Sequence, residues 1–138
     1  MSLGAEFPRS LLQHPTYVFG RLHKAIHAEV NTSLRDHWVL SYLAEQSDLT
    51  QQQVSDALAI DRSEVVRLID GLERAGYVVR ARDTEDRRKY RLSITKAGRD
   101  MVARTDERLK EAADRLLYRL TAEERRTLHR LALKAIGE

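Results

Sequence analysis

Apolar residues recur every three or four positions in the first third of the chain, which is the spacing of one face of an α-helix. After Pro15 this pattern predicts a long amphipathic helix over about 15–32. Its apolar face holds Val18, Phe19, Leu22, Ala25, Ile26 and Val30. The same spacing in Trp38, Val39, Tyr42 and Leu43 predicts a second, shorter helix over about 36–46.

Two short helices follow, each preceded by a residue that can cap its first turn. Thr50, with Gln53 three residues later, forms a capping box and predicts a helix over 51–58. Asp61 predicts the start of a fourth helix, and Gly76 predicts its end. The inward face of that fourth helix holds Val65, Leu68, Ile69 and Leu72. Two short helices joined by three or four residues are typical of a helix-turn-helix.

Beyond Gly76 the apolar spacing changes from about 3.6 to 2 residues, the period of a β-strand. This predicts two strands, over 77–82 and 89–94. Residues 83–88 join them and contain turn-favouring Asp and Thr but no glycine, which predicts an extended, solvated loop. We call this hairpin with its loop the wing.

Two further helices are predicted at the end of the chain. Thr95 can cap a long helix over about 96–119, and Thr121 with Glu124 forms a capping box for a last helix. Their apolar stripes are Met101, Val102, Leu109, Ala113, Leu116 and Leu120 in the first, and Leu128, Leu131, Ala132, Ala135 and Ile136 in the second. The predicted fold is therefore mainly α, a winged helix-turn-helix with six helices and one small β-hairpin.

Charge is concentrated in the predicted wing. The chain has a net charge of +3, but residues 77–99 hold eight basic and three acidic side chains, a net charge of +5. A basic segment on a nearly neutral body is typical of proteins that bind polyanions. The alternative is a solvated loop without a partner.

Composition narrows the class of protein. A length of 138 residues fits one domain, and the absence of cysteine excludes disulfides and thiol chemistry and favours a reducing cytoplasm. No apolar run is long enough for a membrane span, and the first residues lack the pattern of a signal peptide. Glycine-rich phosphate loops, a nucleophile elbow and an HExxH motif are all missing from the sequence, so an enzyme is not expected.

Five segments, in this order and spacing, resemble one known family across nearly the whole chain. They are Leu49-Thr50-Gln51, Asp61-Arg62-Ser63, Leu72-Glu73-Arg74-Ala75-Gly76, Asp86-Arg87-Arg88 and Leu92-Ser93-Ile94-Thr95-Lys96-Ala97-Gly98. The chain resembles the MarR family of winged helix-turn-helix regulators.

The resemblance implies a single domain over 1–138 that forms a homodimer on a near-palindromic operator. Residues 15–34 and 96–138 would supply the dimerisation helices, and 36–94 the DNA-binding lobe. Two recognition helices would enter successive major grooves and two wings the flanking minor grooves. The leucine stripes of the last two helices support an interface because one small domain cannot cover them, the alternative being an ordinary intramolecular core.

Candidate DNA contacts lie in the helix-turn-helix and the wing. The resemblance implies contacts from Thr50, Gln51, Gln52, Arg62, Ser63, Glu64, Arg67, Asp86, Arg87, Arg88 and Lys89. Arg67 can donate two hydrogen bonds to guanine, and Glu64 can accept one from cytosine. At Glu64 the family often has a hydroxyl residue, so Glu64 either contacts a base or forms an ion pair with Arg62 or Arg67.

In the wing, the resemblance implies that Arg88 enters the minor groove and that Asp86 steadies the loop. A guanidinium suits the negative potential of a narrow, A·T-rich minor groove. Arg87 and Lys89 would contact phosphate.

Family members often bind small aromatic anions in a cleft. The resemblance implies that such a cleft here is lined by Tyr17, Arg35, His37, Trp38 and Tyr42. The alternative for the aromatic residues is packing in the core. A metal-site test on His23 and His27, four residues apart, with His14 and His37 nearby, finds no third ligand at fixed spacing. Neither a metal nor a cofactor is predicted.

The expected function is that of a cytoplasmic, sequence-specific DNA-binding transcriptional regulator, a repressor released by a small-molecule effector. The alternative is a winged-helix protein that contacts other proteins, or an antagonist that does not bind DNA itself.

Overall fold

The computed structural model describes residues 7–30 and 33–138, and within these ranges it contains six helices and three strands. The helices are α1 (Pro15–Val30), α2 (Leu34–Glu45), α3 (Gln51–Leu58), α4 (Arg62–Arg74), α5 (Lys96–Leu116) and α6 (Ala122–Ile136). The strands are β1 (Leu49–Thr50), β2 (Val78–Arg82) and β3 (Tyr90–Ile94). The predicted mainly α fold with a small β-hairpin is confirmed, while residues 31 and 32 of the predicted first helix lie outside the described residues.

The chain forms two compact units, which we describe separately. The first unit is Met1–Asn31 with Arg108–Glu138, and the second unit is Thr32–Glu107. The second unit holds a hydrophobic core to which α2, α3, α4 and all three strands contribute. Its buried members are Val39, Leu40, Leu43, Leu49, Val54, Ile60, Val65, Ile69, Leu72, Val78 and Leu92.

Local caps fix the helix-turn-helix. Thr50 Oγ1 accepts from Gln53 N at 3.1 Å while Gln53 Oε1 accepts from Thr50 N at 2.8 Å, so the predicted capping box is present. Ala59 ends α3 in the left-handed conformation, and Gly76 follows α4 with a φ of 81°. These caps hold the two helices at the boundaries that their sequences predict.

The second helix differs from its prediction at both ends. It begins at Leu34 rather than residue 36, because Ser33 Oγ accepts from Asp36 N at 3.3 Å and thereby caps it. It ends at Glu45, one residue earlier than predicted.

The wing belongs to a three-stranded antiparallel sheet with the order β1-β3-β2. Val78 pairs with Ile94 at one end of the hairpin and Arg82 with Tyr90 at the other. Each strand starts one residue later than predicted and ends at the predicted residue. The strand β1 was not predicted; it pairs Leu49 with Leu92 and so ties the start of the helix-turn-helix to the wing.

Thr95 joins the end of α4 to the start of α5. Its hydroxyl donates to Gly76 O at 2.7 Å and accepts from Gly98 N at 3.0 Å, which confirms the predicted cap. Gly98 is buried, and a Cβ placed there would meet Tyr77 O at 2.4 Å. A side chain is therefore excluded at this position by a backbone contact.

The first unit has little buried apolar surface of its own. Val30 and Ala112 are the buried apolar residues in its described part, whereas Leu131 and Ile136 on α6 are 49% and 78% exposed. The helix α5 ends at Leu116 rather than residue 119, and Arg125 donates to the carbonyl of Leu117 at 3.1 Å across the following turn. None of the described helices combines the length and apolar character needed to span a membrane.

Candidate nucleic-acid interface

The first turn of α4 is held by its cap and leaves polar side chains exposed. Asp61 accepts from Ser63 N at 3.1 Å and also from the Ser63 hydroxyl. The hydroxyl bond is the main cause that lowers the pKa of Asp61, so its carboxylate stays charged at the positive end of the helix. Arg62, Ser63 and Arg67 are exposed, because the opposite face of α4 is buried in the core.

Glu64 has a partner that the sequence analysis did not identify. Its carboxylate accepts a hydrogen bond from Arg35 Nη1, in the first turn of α2. The predicted ion pair with Arg62 or Arg67 is therefore wrong, because a residue 29 positions away in sequence has taken the carboxylate. A contact between Glu64 and a base stays a prediction.

Residues from α3, α4 and the wing line one surface cavity of about 200 Å³. Six of its seven lining residues are predicted DNA contacts: Thr50, Gln51, Gln52, Arg62, Arg88 and Lys89. The seventh, Tyr90, was not predicted. The strand pairing between β1 and β3 explains the convergence, because it brings the start of α3 beside the base of the wing.

The wing tip is ordered by one carboxylate. Asp86 accepts from the backbone N of Arg88 at 3.1 Å and from its guanidinium Nε at 3.1 Å. The hydrogen bond to the Arg88 side chain is the main cause that lowers the pKa of Asp86. Because Arg88 itself is 92% exposed, the aspartate restrains the guanidinium without burying it.

The base of the wing contains a buried carboxylate, so the prediction of a solvated loop over 83–88 is wrong at its first residue. Asp83 is only 7% exposed. It accepts from Glu85 N at 2.8 Å and from Arg91 Nε at 3.0 Å, and the first of these bonds is the main cause that lowers its pKa. Arg91 also donates to Asp48 O at 2.8 Å, which anchors the wing to the turn before β1.

Two guanidinium groups lie close to the ring of Tyr90. Arg80 Cζ is 5.4 Å and Arg82 Cζ 5.2 Å from the centre of its ring, which is the geometry of cation–π contacts. Arg80 also donates to Asp70 Oδ1 of α4 at 2.6 Å. Alternation along the strands places these residues on one face, which is the signal that could have identified Tyr90 from sequence.

Several exposed cations of this surface form no ion pair with the described residues. In the described part of the chain, Arg62, Arg67, Arg87 and Lys89 have no carboxylate within ion-pair distance, and all four are exposed. Cations without an internal partner remain available to an external anion. Such cations, among them Arg62 in the first turn of α4, are suited to phosphate groups.

The predicted effector residues are brought together only in part. His37, Trp38 and Tyr42 line a shallow cavity of about 350 Å³ in the second unit, with Ser41, Glu45, Ala57 and Leu58. His37 Nε2 lies 2.7 Å from Asp106 Oδ1, and its Nδ1 is buried with no hydrogen-bond partner among the described residues. Arg35 is bonded to Glu64 instead, and Tyr17 belongs to the first unit, where it lines a different, apolar cavity.

The histidines do not form a metal site within the part of the chain that the structure describes, where no group of three or more metal-ligating side chains is found. His23 and His27 are both exposed on α1.

Comparison with known proteins agrees with this geometry. Residues 31–89, which contain the helix-turn-helix and most of the wing, match the model of the MarR family. Over these residues the chain is similar to the MarR family. A Thauera aromatica relative, by its name a proposed transcriptional regulatory protein for the hcr operon, is 32% identical over 90 residues, 65% of this chain and 54% of the relative. The chain thus spans about half the length of the curated relatives it matches.

Solved structures of MarR-type regulators share the fold. The PcaV transcriptional regulator from Streptomyces coelicolor, in complex with its natural ligand, has a TM-score of 0.79 and 25% identity, over 96% of this chain and 97% of PcaV. A MarR-family transcriptional regulator from Rhodococcus sp. RHA1 has a TM-score of 0.82 and 22% identity, over 94% and 97% of the two chains. Both are described by name as transcriptional regulators.

Proposed function

We propose that this chain is a MarR-type, sequence-specific DNA-binding regulator of transcription. The observation that carries the proposal is the convergence of Thr50, Gln51, Gln52, Arg62, Arg88 and Lys89 on one surface. Three separate segments supply these side chains, and those of Arg62 and Lys89 form no ion pair with the residues that the structure describes. We place the protein in the cytoplasm, where it has access to chromosomal DNA.

The exposed first turn of α4 is suited to the major groove, and the wing to the minor groove. Arg67 lies one turn into α4, and its guanidinium can donate two hydrogen bonds to the O6 and N7 atoms of guanine. Arg88 is exposed and oriented by Asp86, which suits insertion into a narrow minor groove. Arg87 and Lys89 then contact phosphate.

We further propose that two copies bind together through the first unit. Apolar side chains of α1 and α6 are exposed in the single chain, among them Phe19, Leu131 and Ile136. Uncovered apolar surface on a helix pair is typical of an interface. A homodimer presents α4 twice, and its half-sites lie about one helical turn of DNA, roughly 34–36 Å, apart.

The shallow cavity beside Trp38 supports an effector site of a repressor. Its aromatic rings and the His37 imidazole suit an aromatic anion such as a phenolic acid. By linkage, a compound that weakens operator binding binds the free protein more tightly than the DNA-bound protein by the same factor. Titration of phenolic acids against Trp38 fluorescence and operator affinity tests this; if neither changes, the effector assignment is wrong.

Selection of bound sequences from a random duplex pool tests DNA binding, and three substitutions then test its geometry. Arg67→Ala is expected to cost about 1–3 kcal/mol per half-site and to relax the preference at one base position. Arg88→Ala is expected to weaken all operators alike and to remove a preference for A·T-rich flanks.

Arg87→Ala is the matched electrostatic variant, since it removes one charge next to Arg88. It is expected to lower the slope of log affinity against log salt by about two per dimer, one for each phosphate contact. If Arg67→Ala weakens every sequence equally while Arg88→Ala changes a central base preference, the placement of α4 and the wing on DNA is wrong. A chain that selects no sequence favours the protein-contact alternative.

A further inference from the structure

Arg35 reaches the DNA-binding helix from another element. It lies in the first turn of α2, where Ser33 caps the helix, and its guanidinium bonds the carboxylate of Glu64 in the first turn of α4. Glu64 is 26% exposed and Arg35 is 50% exposed. The ion pair therefore lies at the edge of the exposed turn that carries Arg62 and Arg67.

The position of each partner is informative. Glu64 lies in the first turn of α4, where the helix dipole favours a carboxylate. A guanidinium in the first turn of α2 is disfavoured by the dipole of its own helix, and Glu64 is the bonded carboxylate that offsets this. The ion pair thus neutralises the negative charge of Glu64 and offsets the unfavourable position of the Arg35 guanidinium at the N-terminus of its own helix.

An unpaired Glu64 is harmful to a DNA-binding surface in two ways. Its negative charge repels the phosphates that approach the first turn of α4. It is also three residues from Arg67, a spacing at which opposite charges attract on a helix surface. Released from Arg35, the carboxylate is free to draw the Arg67 guanidinium away from a base.

We propose that Arg35 is a positioning residue for DNA specificity: it holds and neutralises Glu64, so that Arg62 and Arg67 are free to contact DNA. This inference rests on the proposed DNA-binding function. It assigns Arg35 to the recognition helix rather than to an effector site, and it gives Arg35 no direct contact with DNA.

The test measures the affinity of variants for the duplex that the wild-type chain selects from a random pool. Arg35→Ala is expected to bind about tenfold more weakly and to relax the same base preference that Arg67→Ala relaxes. The double variant Arg35→Ala/Glu64→Gln is compared with Glu64→Gln alone, and the two are expected to bind within about threefold of each other, because no unpaired carboxylate remains in either. Arg35→Lys, which keeps the charge, is expected to retain most of the affinity.

Two controls separate this role from others. Arg104→Ala removes the same charge from an exposed position on α5 and is expected to leave base preference unchanged. The salt slope of Arg35→Ala is expected to equal that of wild type, since no phosphate contact is lost. Recovery in the double variant cannot arise from an unfolded chain, and thermal melting of each variant checks this independently.

Three results overturn the inference. If the double variant binds as weakly as Arg35→Ala and both have a lower salt slope, Arg35 contacts phosphate directly. If Arg35→Ala binds with wild-type affinity and preference, the ion pair has no role in recognition, although the proposed function stands. If the wild-type chain selects no sequence, both the function and this inference fail.

Discussion

The two units of the chain differ in how they bury apolar surface. The second unit encloses a continuous core in which Val39, Leu43, Val65 and Ile69 are completely buried. The first unit contributes most of the exposed large apolar side chains of the described residues: Leu11, Leu12, Val18, Phe19, Tyr118, Leu131, Leu133 and Ile136. Only Trp38 and Val79 of that exposed set belong to the second unit.

The two units therefore obtain their stability from different sources. Burial of an aliphatic or aromatic side chain stabilises a fold by about 1.5–3 kcal/mol, so the second unit is stabilised by its own core. The first unit gains little in this way from the described single chain. Its exposed stripes fit the proposed interface with a second copy, and the predictions below separate the two sources of stability.

The largest effect is expected from a charge on the exposed stripe of α6. Leu131→Asp places a carboxylate on the proposed interface, and we expect monomers, or chains with an unfolded first unit, in sedimentation velocity, together with loss of operator binding. His129→Asp is the matched control, because two residues along an α-helix place the carboxylate on nearly the opposite side. A stable Leu131→Asp dimer with normal DNA affinity would refute the interface.

A core truncation in the second unit should act differently. Leu43 is fully buried, so Leu43→Ala is expected to lower the free energy of unfolding by about 2–5 kcal/mol. Denaturant unfolding measures this change in the free energy of unfolding. In the Leu131→Asp variant, which is expected to be monomeric, the change should be the same at low and high protein concentration. A loss below about 1 kcal/mol would mean that the second unit is not held by this core.

A pair of glycine substitutions gives opposite signs in the same unit. Gly98→Ala is expected to destabilise by about 1–3 kcal/mol, because its Cβ would lie 2.4 Å from Tyr77 O and 2.6 Å from Ile94 Cγ1. Gly71, inside α4, has nothing within 4 Å of its added Cβ, so Gly71→Ala is expected to stabilise by about 0.5–1 kcal/mol. Thermal melting compares the two, and equal shifts would contradict the packing around Gly98.

The smallest effect concerns the pH dependence of the wing. The folded state lowers the pKa of Asp83, chiefly through the Glu85 N–H, so this carboxylate stabilises the fold above its unfolded pKa of about 3.9. That contribution is lost as the pH falls through the lowered folded value. We expect Asp83→Asn to be less stable than wild type at pH 7, with the difference shrinking toward pH 3 in urea unfolding. A difference that grows in acid would contradict this assignment.

Sequence predicts the parts of this fold that neighbouring residues specify. The capping pairs Thr50–Gln53 and Thr121–Glu124 are three residues apart and are present as predicted. Helix periodicity likewise identified the buried face of α4, where Val65, Ile69 and Leu72 lie. These features need no information about the rest of the chain.

Features that depend on distant residues were not predictable in the same way. The strand β1 has two residues and exists because Leu49 pairs with Leu92, which lies in the wing. Asp83 was predicted to lie in a solvated loop, but it accepts a hydrogen bond from Arg91 of β3, eight residues later. Glu64 lies beside Arg67 in sequence terms, but its partner is on another helix. In each case several partners are compatible with the sequence, and the tertiary fold determines which of them is in contact.

The number of chains bound to one DNA duplex tests whether the first unit pairs two copies while the second unit binds DNA. A duplex that carries the full selected sequence is compared, by sedimentation velocity, with a duplex that carries one half of it. Two chains bound per full duplex, and a much weaker complex on the half duplex, are the results that this account predicts. One chain bound with equal affinity to the full and the half duplex would contradict this proposal, because the second unit would then recognise DNA without dimerisation through the first unit.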